Sequence, residues 1–189
     1  WGEGAFGGME HHPFWHVSKS SMADPAAHAH EAVHGWFGNG VRMACWEDFV
    51  LSEGVASYLA ARGIEHVAGG AASAAVWGQY QTRLTRLQRS QLNKVAWPQG
   101  CGDVDILEDG LFGDAPYVKG AFFLQALEQR IGRETLDDAL ALFYNRHVGQ
   151  SAHMQDLLEV IANQSGYDPT SCAQAWLQSA AVPEPRSCP

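Results

Sequence analysis

The clearest chemistry in this chain lies in His30-Glu31-Ala32-Val33-His34. At 3.6 residues per turn, residues four apart on an α-helix stand about 40° apart around its axis, so both imidazoles can reach one ion. Glu31, beside the first histidine, can reach a water at that ion. Two histidine ligands with a carboxylate base between them make the H-E-x-x-H zinc pattern. A catalytic zinc also needs a third protein ligand and an open fourth position. Glu53, in Ser52-Glu53-Gly54, follows His34 after eighteen residues. That is room for a turn, an excursion and a second helix that returns a carboxylate. These residues predict a zinc hydrolase.

The whole chain sets bounds on that chemistry. Its 189 residues suffice for one well-buried domain, with at most a small appendage. Apolar residues make up 46% and charged residues 17%, which excludes a disordered chain. No apolar run approaches the roughly 20 residues of a membrane-spanning helix. A formal charge of −9 argues against a nucleic-acid partner, because phosphates need a basic face. The acidity is diffuse and reads as a soluble surface. A start at Trp1, without an initiator Met, reads as a processed product or an excised piece of a longer protein. Cys45, Cys101, Cys172 and Cys188 form no C-x-x-C pair, so a thiolate zinc site is not expected. Disulfides, with Cys172 and Cys188 tying down the Pro-rich tail, and four idle thiols both account for the count. The lean is to an extracytoplasmic origin.

Several elements must position the motif. Gly2, Gly4, Gly7 and Gly8 suit close backbone approaches, and Pro13 through Val17 predicts a short strand. Asp24-Pro25 predicts an N-cap with Pro at the first helical position. The helix it opens should run through the motif to Gly38-Asn39-Gly40. Ser52 is expected to cap a second helix, Glu53 to Arg62, stopped by Gly63. Residues 63–75, rich in Gly and Ala, read as a loop, followed by an amphipathic helix from about Ala75 to Lys94. Residues 97–116 form a long Gly/Pro-rich loop, a kind that is often functional. Helices are then predicted at Tyr117–Arg130, Glu134–Asn145, His153–Gln164 and Pro169–Ser179. Leu124, Leu127 and Ile131 keep a helical spacing, as do Leu136, Leu140 and Phe143. The expected architecture is one mainly α domain over residues 1–182, with a short β element at its N-terminus and an irregular tail at 183–189.

His30-Glu31-Ala32-Val33-His34-Gly35-Trp36-Phe37-Gly38-Asn39, then Trp46-Glu47-Asp48, then Leu51-Ser52-Glu53-Gly54, resembles the membrane-alanyl-aminopeptidase family of gluzincins. That family includes alanyl aminopeptidase and leukotriene hydrolase. Its pattern is H-E-x-x-H, eighteen residues, then E, with a W-F-G-N stretch and an N-E-G-like segment. Gly7-Gly8-Met9-Glu10 resembles its G-x-M-E-N loop, and Pro116-Tyr117-Val118-Lys119-Gly120 its P-Y-x-K-G segment. Nearly the whole chain is covered, but only one domain of the family's architecture. His11 stands where the loop carries Asn. Gly35, Gly40, Arg42 and Ser52 stand where Gln, Leu, Thr and Asn are usual. None of these departures is a ligand or the base, but the loop change bears on how the substrate's amino end is held.

The resemblance implies a thermolysin-like zincin catalytic domain holding one Zn2+ by His30, His34 and Glu53. It implies Glu31 as general base and Tyr117 as the hydrogen-bond donor to the oxyanion. Gly7, Gly8, Met9 and Glu10 would cradle the substrate backbone, with Glu10 on the α-ammonium of a peptide with a free N-terminus. Asp109 either meets that amino group, as an acidic residue does in the leukotriene-hydrolase branch, or is a solvated loop residue. Asp48 either hydrogen-bonds a ligating imidazole or caps and packs. His11, His12, His16 and His28 read as surface or packing residues. Aminopeptidase activity is the expectation, with further domains in the parent protein. A non-catalytic, metal-stabilised binding relative and an endopeptidase or other small-substrate hydrolase with an open cleft are the alternatives.

Overall fold

A computed structural model describes residues 7–105 and 107–188; Gly2 and Gly4 of the glycine-rich start lie outside them. The chain is mainly helical. The Asp24 carboxylate accepts the Ala26 N–H at 2.9 Å and opens α1, Pro25–Val33, as the Asp-Pro pair predicts. The helix ends at His34 rather than near Gly38. There the chain folds into a tight turn in which Gly38 N–H bonds Val41 C=O and Val41 N–H bonds Trp36 C=O. That turn buries Phe37 and Val41, which a continued helix would not. Gly38 takes a φ of +123°, and a Cβ there would stand 2.8 Å from both His34 Nδ1 and Ser52 Oγ; only glycine fits.

α2 spans Phe49–Ala68 after a single 3-10 turn at Trp46–Asp48. It therefore begins before the expected Glu53 and continues past the expected stop at Gly63. Ser52 is no cap: it is buried inside the helix, its hydroxyl 3.2 Å from His34 Nδ1. Gly63 sits on an exposed face where an added Cβ would meet nothing, and a glycine there costs the helix only about 1 kcal/mol. Nor are residues 63–75 a loop. α3, Gly70–Arg89, starts after a one-residue break at Gly69, whose φ is +84°. Ser73 Oγ donates to Ala61 C=O and the Tyr80 hydroxyl to Ser57 C=O, so α3 runs back along α2 as a helical hairpin. Tertiary contact decides this stretch, overriding the low helix propensity of glycine.

α3 stops at Arg89 rather than near Lys94. Among the described residues from Ser90 to Gly113 the chain carries turns but no regular element, a stretch that includes most of the long loop expected at 97–116. A π-helical turn, Ala115–Lys119, leads into α4, Gly120–Ile131. α5 (Arg133–His147) and α6 (Met154–Ser165) match their predicted positions closely. The last predicted helix is divided into α7, Thr170–Ala173, and a second π turn, Gln174–Gln178. Two small sheets complete the fold. β1 (Gly8–Met9) pairs antiparallel with β2 (His16–Val17), the expected element. β3 (Arg42–Met43) pairs parallel with β4 (Ser151–Ala152) and was not foreseen.

α2 is the axis of the core, flanked by α1, α3 and α4. It meets α4 glycine to glycine: a Cβ on Gly120 would stand 2.5 Å from Gly54 Cα. Leu51, Tyr58, Phe123, Leu124, Leu127, Phe143 and Trp176 fill the interior around that crossing. Disulfides join Cys45 to Cys101 and Cys172 to Cys188, so the four cysteines are paired rather than idle. Among the described residues, no helix is long and apolar enough to cross a membrane.

Candidate active site

Two helices, α1 and α2, bring the three candidate metal ligands together. His30 lies in the last turn of α1, His34 just past its end, and Glu53 near the start of α2. Their donor atoms converge: His30 Nε2 is 3.0 Å from Glu53 Oε2 and 3.1 Å from His34 Nε2, and His34 Nε2 is 3.4 Å from Glu53 Oε2. Ligands about 2.0–2.1 Å from a shared centre, at tetrahedral angles, stand about 3.3 Å apart. The three residues fit a zinc ion. The histidines are also aimed by their other nitrogens. His34 Nδ1 donates to Phe37 C=O at 2.9 Å, which leaves the Nε2 lone pair pointing into the cluster. His30 Nδ1 lies 3.4 Å from Ser57 Oγ.

Glu31 is buried, and its Oε2 has no hydrogen-bond partner. A carboxylate oxygen kept in that state is costly unless something arrives to use it. β1 lies directly on it: a Cβ at Gly8 would collide with Glu31 Oε1. The next residues bring Glu10, whose carboxylate comes within 4.8 Å of donor atoms of Glu31 and His34. Asn39 Nδ2 donates to Glu10 C=O at 2.7 Å and so ties this loop to the turn after α1. In the sequence Asn39 reads as part of a helix stop and of a family word, not as a tether. Its tether spans 29 positions, a pairing that no local pattern reveals.

Tyr117 reaches the cluster from the π turn. Its ring stacks on His30 with centroids 5.9 Å apart, meets Phe49 edge-on at 6.0 Å, and lies 5.5 Å from the Arg83 guanidinium carbon. Such turns recur at functional sites because one extra residue re-aims a side chain.

Burial and charge act against each other here. Burial pushes the Glu31 carboxyl up to about 7, with His34 opposing and Glu10 and Glu53 assisting. Burial would also raise Glu53, but its bonds to His30 and His34 hold it at about 2. Burial lowers His30 against the pull of Glu53. His34 resists the same burial through Glu53 and rises to about 9. Tyr117 is raised by burial and by Glu53, against Arg83.

Two candidates stand elsewhere. Asp48 is fully buried, but its carboxylate accepts His153 Nδ1 and Met154 N–H, both at 2.8 Å, and orients neither His30 nor His34. Cys45 and Glu47 lie close by, but the Cys45 sulfur is spent in its disulfide. Asp109 is exposed and accepts the Asp105 N–H within its own loop at 2.9 Å; the structure does not bring it into the cluster. His11, His12 and His16 are exposed, with His11 and His16 edge to face at 5.0 Å. His28 bonds Met22 C=O and takes the Trp15 indole N–H.

The peptidase family M1 domain matches residues 16–176. Aminopeptidase N of Streptomyces lividans is 27% identical over 175 residues, covering 88% of this chain and 20% of that protein. Probable M1 family aminopeptidase 1 of Encephalitozoon cuniculi is 25% identical over 158 residues, covering 82% of this chain and 18% of its own length. The chain thus spans about a fifth of these curated relatives. Among solved structures, native yeast LTA4 hydrolase superposes with a TM-score of 0.81 at 22% identity, covering 94% of this chain and 30% of that one. An M1 zinc metallopeptidase variant from Deinococcus radiodurans, bound to a Tyr-Ser-Ala substrate, gives 0.77 at 20% identity, covering 96% and 39%. These two likenesses show the fold.

Proposed function

Because this chain belongs to peptidase family M1, with residues 16–176 matched, we propose that it is the zinc-binding catalytic part of an aminopeptidase. The observation that carries this is the convergence of His30, His34 and Glu53 beside a buried Glu31 whose Oε2 has no partner. The first three would hold one zinc ion. When bound, zinc supplies Lewis acidity that brings a water's pKa toward about 7 and polarises the scissile carbonyl. Glu31 accepts the proton of the attacking water and passes it to the leaving amine. Tyr117 donates a hydrogen bond to the oxygen on which charge develops. Glu10, on the loop held by Asn39, pairs with the substrate's α-ammonium, and Gly7, Gly8 and Met9 line that loop's approach. Charge at the peptide's free end is what selects an exopeptidase over an endopeptidase.

Relatives about five times longer support further domains in the parent protein. Two disulfides support an extracytoplasmic location. Residues 1–182 are proposed as the catalytic unit and 183–189 as its tail. The test is hydrolysis of aminoacyl-arylamides with and without a zinc chelator, beside Glu31→Gln. Zinc-dependent cleavage that the variant abolishes is expected. Activity indifferent to both changes overturns the metallopeptidase, and equal cleavage of an N-acetylated substrate overturns the aminopeptidase.

A further inference from the structure

We propose that Arg83 is a positioning residue for Tyr117, clamping the ring through an ion pair with Asp114 and a cation–π contact. This rests on the donor role of Tyr117 proposed above.

Arg83 lies on α3, which contributes none of the groups assigned so far. Its Nε donates to Asp114 Oδ1 at 2.7 Å, and the side chains are 35% and 25% exposed. The pair is partly buried. Asp114 is the residue from which the chain enters the Ala115–Lys119 turn. The same guanidinium carbon stands 5.5 Å from the Tyr117 ring centroid, within the range of an attractive cation–π contact. One side chain therefore fixes both the entrance of the turn and the ring at its middle. The far end is held separately, by the buried Lys119 ammonium donating to Lys94, Ser179 and Ala181 C=O.

The cation over the ring face limits the ring's freedom to swing and keeps its hydroxyl aimed where charge appears. Leu84 and Leu87 of the same helix are buried in the core, whereas Arg83 is only partly buried.

The experiment compares Arg83→Met, Arg83→Lys, Tyr117→Phe and the Arg83→Met/Tyr117→Phe double variant in the zinc-loaded protein. It follows kcat, KM, zinc content, melting temperature and calorimetric binding of an aminoacyl phosphonate, whose tetrahedral anion mimics the transition state. Arg83→Met is expected to lower kcat about tenfold and weaken phosphonate binding about tenfold, a fraction of what losing an oxyanion donor costs. KM, zinc content and melting temperature should stay near wild type, and Arg83→Lys should recover most of the loss. In the Tyr117→Phe background the same change should have almost no further effect, because residues acting through one group are non-additive. An equal loss in both backgrounds overturns the proposal, as does a loss that tracks melting temperature. Unchanged kcat and phosphonate affinity in Tyr117→Phe alone would instead remove the donor role of Tyr117, and the clamp with it. The phosphonate arm reads out even where turnover is slow.

Discussion

Two histidine–carboxylate clusters flank the start of α2, built from the same residue types. In one, Asp48 is fully buried and spends its oxygens on His153 and the Met154 N–H. In the other, His30, His34 and Glu53 turn their donor atoms toward a shared point, and Glu31 beside them keeps an oxygen with no partner. The first cluster is closed. Its hydrogen bonds join the entrance of α2 to the N-terminus of α6, and both Asp48 oxygens are engaged. The second is open: its histidine Nε2 atoms are turned inward by Phe37, Ser52 and Ser57, which engage the opposite nitrogens, while Glu31 Oε2 goes unpaired. The difference teaches that burial beside a histidine does not mark a reactive carboxylate. What marks it is an acceptor left without a donor inside the fold.

The largest effect should come from removing what completes the open cluster. Glu31→Gln should lower kcat for aminoacyl-arylamide hydrolysis by about 10²–10⁴ while retaining zinc, and Glu53→Gln should lose the metal. Metal analysis beside the assay separates the two. If Glu53→Gln holds zinc as tightly as wild type, the cluster is not the ligand set. Next, Tyr117→Phe should cost about 10²–10³ in kcat with KM little changed; a loss confined to KM would make Tyr117 a binding surface only.

Stability should then move in opposite directions at the two clusters. In the metal-free protein the native Glu31 carboxyl titrates near 7 against 4.5 unperturbed. Between those values the folded chain keeps a proton that the unfolded chain has lost, so stability falls as pH rises through the window. Above pH 7 Glu31→Gln should therefore raise unfolding stability by about 1–3 kcal/mol, and at pH 4 the gain should vanish. Asp48→Asn should do the reverse, costing about 1–3 kcal/mol with activity per folded molecule unchanged. Denaturant titrations at two pH values check both, and equal signs for the two variants would erase the distinction between open and closed. The smallest effect is expected at Asp109, whose carboxylate is already engaged with Asp105 N–H: Asp109→Asn should shift KM less than about twofold. A KM raised well beyond that in steady-state assays would return this residue to the site.

Much of the open cluster was legible in the sequence because its parts are local. The i, i+4 histidines, the base between them and the Asp-Pro cap fall within eleven residues, where helical geometry alone dictates placement. The closed cluster was not, since Asp48 and His153 are 105 positions apart and joined only by the fold. The same holds for β3 with β4, two-residue strands too short to carry a period. The errors at Ser52 and Gly63 have a different origin. Both residue types are punctuation in isolated helices, but one is turned to face His34 and the other sits where its missing side chain is not needed. Packing along α3 then settles what propensity left undecided.

The contact of Gly54 with Gly120 has a consequence for how the cleft tolerates change. Glu53 precedes one of these residues by a single position, and Tyr117 precedes the other by three, so the gap between the Glu53 and Tyr117 side chains is spaced by backbone against backbone. It works as a gauge block does, with no soft side chain between its faces. Variation in the surrounding core can change volume and shape without altering that width. A single methyl group at either position would reset it.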